Sequence, residues 1–231
     1  MTAGNDAVSK LRVEVCNANK ELASRGLARF TFGNASAIDR DAGLVVIKPS
    51  GVPYAAMTPA DMVIVDLDGE IVEGALRPSS DLATHIELYR AFEKIGGVVH
   101  THSRYATLWA QSQREIPCFG TTHADYFHGS VPVTAHLKAE DIETEYEANT
   151  GREIVRRFEG LDPLRMPAVL VAGHASFCWG ETVSAAVEIA DLLEEVAFMA
   201  YGTIALNAEA APIPVELLDK HFLRKHGPAA Y

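Results

Sequence analysis

Cysteine is scarce in this chain of 231 residues, and the three present, Cys16, Cys118 and Cys178, are odd in number and far apart. Without any C-x-x-C spacing they suggest neither a disulfide framework nor a structural zinc knuckle, and a reducing cytoplasm is the expected setting. Positive charge is also short, with 20 Lys and Arg against 31 Asp and Glu and a formal net charge of -11. Nucleic acid and anionic membranes would be repelled before contact, which argues against both as general partners; an anionic substrate must find a locally positive pocket. Long apolar runs are missing too. The most apolar stretch, Val183 to Leu206, is interrupted by Glu188, Asp191, Glu194 and Glu195, so it does not read as a membrane span. Met1 to Lys10 is polar where a signal peptide would have its apolar core. There is no internal repeat and no low-complexity tract. At 48% hydrophobic and 22% charged residues the chain is expected to form one globular domain over 1–231.

What is there centres on Gly96-Gly97-Val98-Val99-His100-Thr101-His102-Ser103, an apolar run ending in two histidines one residue apart. Side chains two apart on a strand share a face, so His100 and His102 can offer their imidazoles to one point. Alone, such a pair is as well explained by hydrogen-bonded polar residues at a strand end. A third histidine, His174, follows a second apolar run, Ala168 to Gly173. Three imidazoles at strand ends match the open coordination of a catalytic zinc-type site, and Asp81, close in sequence to this strand, is a candidate fourth ligand.

Around that point the rest of the chain falls into elements. Val8 to Gly26 has helical spacing and ends at glycine. Thr31 to Ser36, containing Gly33 and Asn34, is a turn-prone segment between extended ones, and Leu44 to Ile47 runs into Lys48-Pro49-Ser50-Gly51. That ending places a cation, a hydroxyl and a permissive backbone at one strand end, either a phosphate cradle or an ordinary turn. Met62 to Val72 reads as a hairpin around Asp68-Gly69. Pro78-Ser79-Ser80-Asp81 opens a helix with Ile86, Tyr89, Ala91 and Phe92 as its apolar face; the two serines and the aspartate fit N-capping and anion binding equally. Arg104 to Gln113 reads as a short helix. Gly120 to Tyr126 concentrates proton-handling groups, although a solvated turn explains it too. Glu140 to Gly160 is predicted helical with Ile142, Tyr146, Ile154 and Phe158 apolar and Gly151 as its breaking point. Pro167 to Gly180 is a strand and hairpin return, Val183 to Leu206 a long helix with a small-residue stripe, and Val215 to His226 a closing helix with a basic end.

Taken together, Gly33-Asn34, Lys48-Pro49-Ser50-Gly51-Val52, Pro78-Ser79-Ser80-Asp81, His100-Thr101-His102-Ser103, Thr121-Thr122-His123-Ala124-Asp125-Tyr126, His174, Leu217 to His221 and Arg224 to Gly227 resemble the class II sugar-phosphate aldolases and epimerases. The Thr-Thr-His-Ala-Asp-Tyr segment is similar to the branch that epimerises a pentulose 5-phosphate at carbon four. The resemblance implies an α/β fold, three-layer α/β/α around a mainly antiparallel sheet, in a homotetramer with active sites between subunits. It implies that His100, His102 and His174 hold a divalent metal, zinc by preference, with Asp81 beside them. Gly33, Asn34, Ser50, Gly51, Ser79 and Ser80 would bind the phosphate and nearby sugar atoms with Lys48 in support. Asp125 would be an acid/base supplied from the adjacent subunit and paired with a tail tyrosine. Compared members end in two tyrosines and a short extension, whereas this chain stops at Tyr231, which aligns with the first of the pair.

The implied activity is interconversion of L-ribulose 5-phosphate and D-xylulose 5-phosphate by metal-assisted retro-aldol cleavage and re-addition. An aldolase of the same family that releases its aldehyde is the nearest alternative. A non-catalytic interaction module on the same fold is disfavoured by the metal-ligand set. A small β-barrel using His-x-His is disfavoured by the long helices after Ala139 and Val183.

Overall fold

Alternation and register decide where the polar residues of the central strands point. The computed structural model describes residues 3–227 and 230 and contains seven named strands: β1 Asn34–Asp39, β2 Leu44–Ile47, β3 Val63–Asp66, β4 Ile71–Glu73, β5 Gly97–Thr101, β6 Ala168–Leu170 and β7 Ser176–Gly180. They form one sheet in the order β4-β3-β2-β1-β5-β7-β6, with every named pair antiparallel. Asn34 pairs with His100 and His100 with Phe177, while Ser36 pairs with Val98 and Val98 with Trp179, so these residues share one face. The expected hairpin is present, with Gly69 at a φ of 87° between β3 and β4.

The helices are α1 Ala3–Ser24, α2 Leu82–Ala91, α3 Arg104–Ser112, α4 Thr121–Ala124, α5 Ala139–Glu143, α6 Tyr146–Arg157, α7 Val183–Leu206 and α8 Val215–His226. One face of the sheet receives α2 and, against it, α6. His85 of α2 meets Phe177 edge-on, and Phe92 and Phe158 pack on Trp179. The other face receives α1 and α7, with α3 packed on α7. This is a three-layer α/β/α arrangement, as the motifs implied. The small-residue stripe of α7 (Val187, Ala190, Leu193, Ala197 and Ala200) is buried within the chain itself, so it is core. Its close approach depends on Gly97, where a Cβ would lie 2.4 Å from the Val183 Cα.

Three sequence expectations need correction. The helix expected over Glu140 to Gly160 is two helices, and the break falls at Thr144 and Glu145. Gly151 sits unbroken inside α6 because its missing side chain lets α6 cross α2: a Cβ there would meet the Glu87 Cβ at 2.6 Å. Ile142, expected on the apolar face, lies on the short α5 and is 52% exposed. On α2, Ala91 is exposed and the buried face is made by Leu82, Thr84, His85, Ile86, Leu88 and Tyr89.

Candidate metal centre and anion pocket

His100 is the last residue but one of β5 and is buried at the sheet's α2 face, and His102 follows just beyond the strand. The His100 Nδ1 lies 2.9 Å from the Ser176 carbonyl oxygen on β7, to which it can only donate, so its Nε2 is left with a lone pair. That Nε2 is 3.1 Å from the Nε2 of His102. His174 reaches the same point from the turn between β6 and β7, where Gly173 takes a φ of 71°. The three ring centroids are 4.9 Å apart in each pairing, and one nitrogen from each ring lies within 4.8 Å of the others. Burial lowers the pKa of all three, opposed by the Asp81 charge, and their proximity adds to the lowering for His100 and His174. Neutral imidazoles converging on one point, with one side open to a cavity, fit a three-nitrogen site for a divalent cation with room for a further ligand.

The open side is a cavity of about 400 Å³. Its lining includes Gly33, Asn34, Lys48, Ser50, Gly51, Ser79, Ser80 and Asp81 together with the three histidines. Two separate turn motifs are brought together there: Ser79 N donates to the Lys48 oxygen at 2.9 Å and Ser50 N to the Arg77 oxygen at 2.8 Å. Gly33 is required by the close approach, since a Cβ would lie 2.8 Å from the His100 oxygen.

Neither serine nor aspartate caps α2 through its side chain. Asn34 Nδ2 instead donates to Ser79 Oγ at 3.0 Å and to Asp81 Oδ2 at 2.6 Å, while the buried Asn34 Oδ1 is left without a partner. Burial pushes the Asp81 carboxyl up, but His100, His85, the Asn34 amide and His174 together hold it below the usual carboxylate range. Asp81 thus faces the histidines without belonging to the close three-ring group. Lys48 is 2% exposed, its Nζ 3.2 Å from the Pro49 oxygen and 5.1 Å from the Tyr54 ring centre. Burial lowers its pKa, with the Asp81 charge opposing. A fully buried ammonium held by backbone carbonyls beside hydroxyls and open backbone suits an anion.

Asp125 does not line this cavity. It follows α4 and is held by α8: His221 Nδ1 lies 3.0 Å from Oδ1, and Arg224 donates to both carboxylate oxygens at 3.0 Å. Burial raises its pKa, but the Arg224 and His221 contacts carry it below the usual range. The neighbouring His123 is buried with Nε2 2.8 Å from the Gly129 carbonyl, a satisfied core histidine. Tyr231 lies outside the described residues. Four lining residues are missing from the sequence-predicted site: Thr31 and Phe32, in the turn-prone segment just before Gly33, and Tyr146 and Glu147 at the start of α6. Tyr146 fits the apolar face of the predicted helix, and nothing local in its sequence distinguishes it. Burial and the Asp81 charge raise its pKa, so the phenol keeps its proton.

Residues 13–201 match the family described as Class II Aldolase and Adducin N-terminal domain. The chain belongs to that family. Among the solved structures of class II aldolases, an L-fuculose 1-phosphate aldolase superposes with a TM-score of 0.78 at 26% identity, covering 91% of this chain and 95% of that one. YgbL of Klebsiella pneumoniae, titled a putative aldolase/epimerase/decarboxylase, gives 0.75 at 26% identity over 92% and 98%. Closer in sequence is the L-ribulose-5-phosphate 4-epimerase UlaF of Salmonella paratyphi C, 51% identical over 224 residues, which are 97% of this chain and 98% of the relative. Its counterpart in Salmonella choleraesuis matches equally.

Proposed function

We propose that this class II aldolase family member interconverts L-ribulose 5-phosphate and D-xylulose 5-phosphate. The observation that carries the proposal is the convergence of three neutral imidazoles, with ring centres 4.9 Å apart, on a cavity built of anion-binding turns. The 51% identity to an L-ribulose-5-phosphate 4-epimerase across nearly the whole of both chains supports the choice of substrate.

The proton on carbon four of a 2-ketose is beta to the carbonyl and is not acidic, so the stereocentre must be inverted by breaking and remaking a carbon–carbon bond. A divalent cation on His100, His102 and His174, with Asp81 beside it and zinc favoured by the nitrogen donor set, would supply Lewis-acid polarisation of the ketose oxygens. The remaining steps belong to the chain. A base takes the proton of the carbon-four hydroxyl, the bond between carbons three and four breaks, and the bonding pair stays with the C1–C3 fragment as an enediolate. Ser50, Gly51, Ser79, Ser80, Gly33, Asn34 and Lys48 hold the phosphate of the two-carbon aldehyde, which turns its other face before the bond re-forms. Retention of that fragment is what separates epimerisation from aldol cleavage.

Asp125 is ionised by its α8 partners and is suited to the proton transfer, but it stands away from its own chain's cavity. We therefore assign it to the site of a neighbouring subunit in a homotetramer, with Tyr231 as its counterpart on the opposite face. Three buried, unpaired cysteines support a reducing cytoplasm as the setting. Among the described residues no helix is long and apolar enough to cross a membrane.

The structural similarity to a fuculose phosphate aldolase favours one second reading, cleavage of a phosphorylated ketose with release of the aldehyde. Incubation of the zinc-loaded protein with L-ribulose 5-phosphate separates the two. Accumulation of D-xylulose 5-phosphate without free glycolaldehyde phosphate is expected; stoichiometric aldehyde release would replace the epimerase reading with the aldolase.

A further inference from the structure

A neutral imidazole carries one N–H and one lone pair, so the group that takes its N–H decides which nitrogen is presented to a cation. For His100 that group is the Ser176 carbonyl, 2.9 Å from Nδ1, and Nε2 is the nitrogen turned towards His102. The Nδ1 of His174 faces a side chain instead, the phenol oxygen of Tyr146 at 3.5 Å, the outer limit of hydrogen-bond range. Their ring centres are 6.2 Å apart.

The phenol is not placed there by a loose loop. Tyr146 is the first residue of α6, its carbonyl accepts from Thr150 Oγ1 at 2.8 Å, and the next carbonyl, of Glu147, accepts from Thr84 Oγ1 at 2.6 Å. Thr84 is on α2, three residues after Asp81, and α6 is seated on α2 at Gly151. The same helix pair therefore fixes both Asp81 and the Tyr146 phenol against the histidine triangle.

The geometry points to Tyr146 as a positioning residue for the cation site: its phenol oxygen accepts the Nδ1–H of His174 and so presents Nε2 to the cation. This rests on the reading of His100, His102 and His174 as cation ligands made above. Outer hydrogen-bond partners of metal-bound histidines orient the ring and raise its basicity, and their loss typically costs about 10- to 100-fold in metal affinity.

The test is Tyr146→Phe, which keeps the ring and removes only the oxygen. Zinc dissociation constants for wild type and variant are measured by competition with a chromophoric chelator, and the unfolding midpoint of the metal-free protein is recorded on the same preparations. Zinc affinity should fall at least about tenfold while the metal-free midpoint stays at the wild-type value. Unchanged affinity would overturn the assignment. So would a loss of affinity accompanied by a lower metal-free midpoint, because the residue would then act through packing alone. The wild-type measurement separates the two readings: a wild type that takes up no zinc defeats the histidine triangle and Tyr146 together, whereas zinc bound equally by both proteins defeats only Tyr146.

Discussion

His102 is the most exposed of the three converging histidines and lies beyond the hydrogen-bonded end of β5, so few contacts of the fold depend on it. His102→Asn is expected to leave folding intact and to lower metal affinity by more than the roughly 10- to 100-fold typical of removing an outer partner; elemental analysis of the purified variant reads this directly. Asp125 makes the opposite case, since it is bound to α8 and stands outside the cavity. Asp125→Asn should retain wild-type metal content and lose about 10²- to 10⁴-fold in turnover, the usual range for an acid/base group. Near-normal turnover would remove it from the mechanism. A third residue-scale effect concerns His85, fully buried with Nδ1 2.6 Å from Ser36 Oγ, whose pKa burial lowers to about 4 against the raising influence of Asp81. The unfolded imidazole protonates first, near pH 6.5, so the folded state carries this contribution in full above that pH and loses it as pH falls towards 4. A depression of that size is worth about 3 kcal/mol. Urea midpoints of the metal-free protein should therefore drop between pH 7 and pH 5, and His85→Asn should flatten that dependence.

At the scale of elements, the site is assembled by three local devices. The isolated bridge between Pro49 and Pro78 ties the Lys48–Ser50 turn to the Ser79–Asp81 turn, so two segments that each pass for ordinary punctuation become opposite walls of one cavity. Gly96 and Gly97 let the start of α7 press on β5, which holds the strand bearing His100. Gly151 lets α6 cross α2 and bring Tyr146 and Glu147 over the cavity. Gly151→Leu must push α6 away, because a Cβ alone would meet Glu87 at 2.6 Å. Overpacking of that kind costs about 1–3 kcal/mol. A lower urea midpoint together with weaker zinc binding is expected, and an unchanged midpoint would mean the helix pair is looser than its packing indicates.

For the whole molecule, the decisive geometry is the separation of Asp125 from the histidine triangle of the same chain. If the catalytic site is shared between neighbouring subunits, a His102→Asn subunit still offers an intact Asp125 and an Asp125→Asn subunit still offers an intact triangle. Co-refolding the two inactive variants should restore up to about a quarter of wild-type specific activity when subunits mix at random around a closed ring. No recovery in demonstrably mixed oligomers would place the whole reaction within one chain. The net charge of -11 acts at this scale as well, because under the proposed function the buried Lys48 ammonium and the open turn backbone would have to attract a phosphate against the field of the rest of the protein. Substrate affinity that weakens with rising salt only modestly is consistent with such a buried, unscreened contact.

By itself the sequence determined the features whose causes lie between chain neighbours. The bounds of α7 and α8, the hairpin at Gly69 and the strand bearing His100 all follow from periodicity, turn chemistry and side-chain alternation. The histidines, serines and aspartate of the cavity were legible as motifs, and their joint meaning came from a resemblance that the match over residues 13–201 bears out at the level of the family. Only the tertiary structure decided that Gly151 is a crossing point, that Ser79 and Asp81 serve Asn34 instead of capping α2, and that Tyr146 and Glu147 close the cavity. The physical reason is the same in each case: burial, steric fit and hydrogen-bond satisfaction depend on which distant segment arrives opposite a residue, and no pattern within the segment itself records that partner.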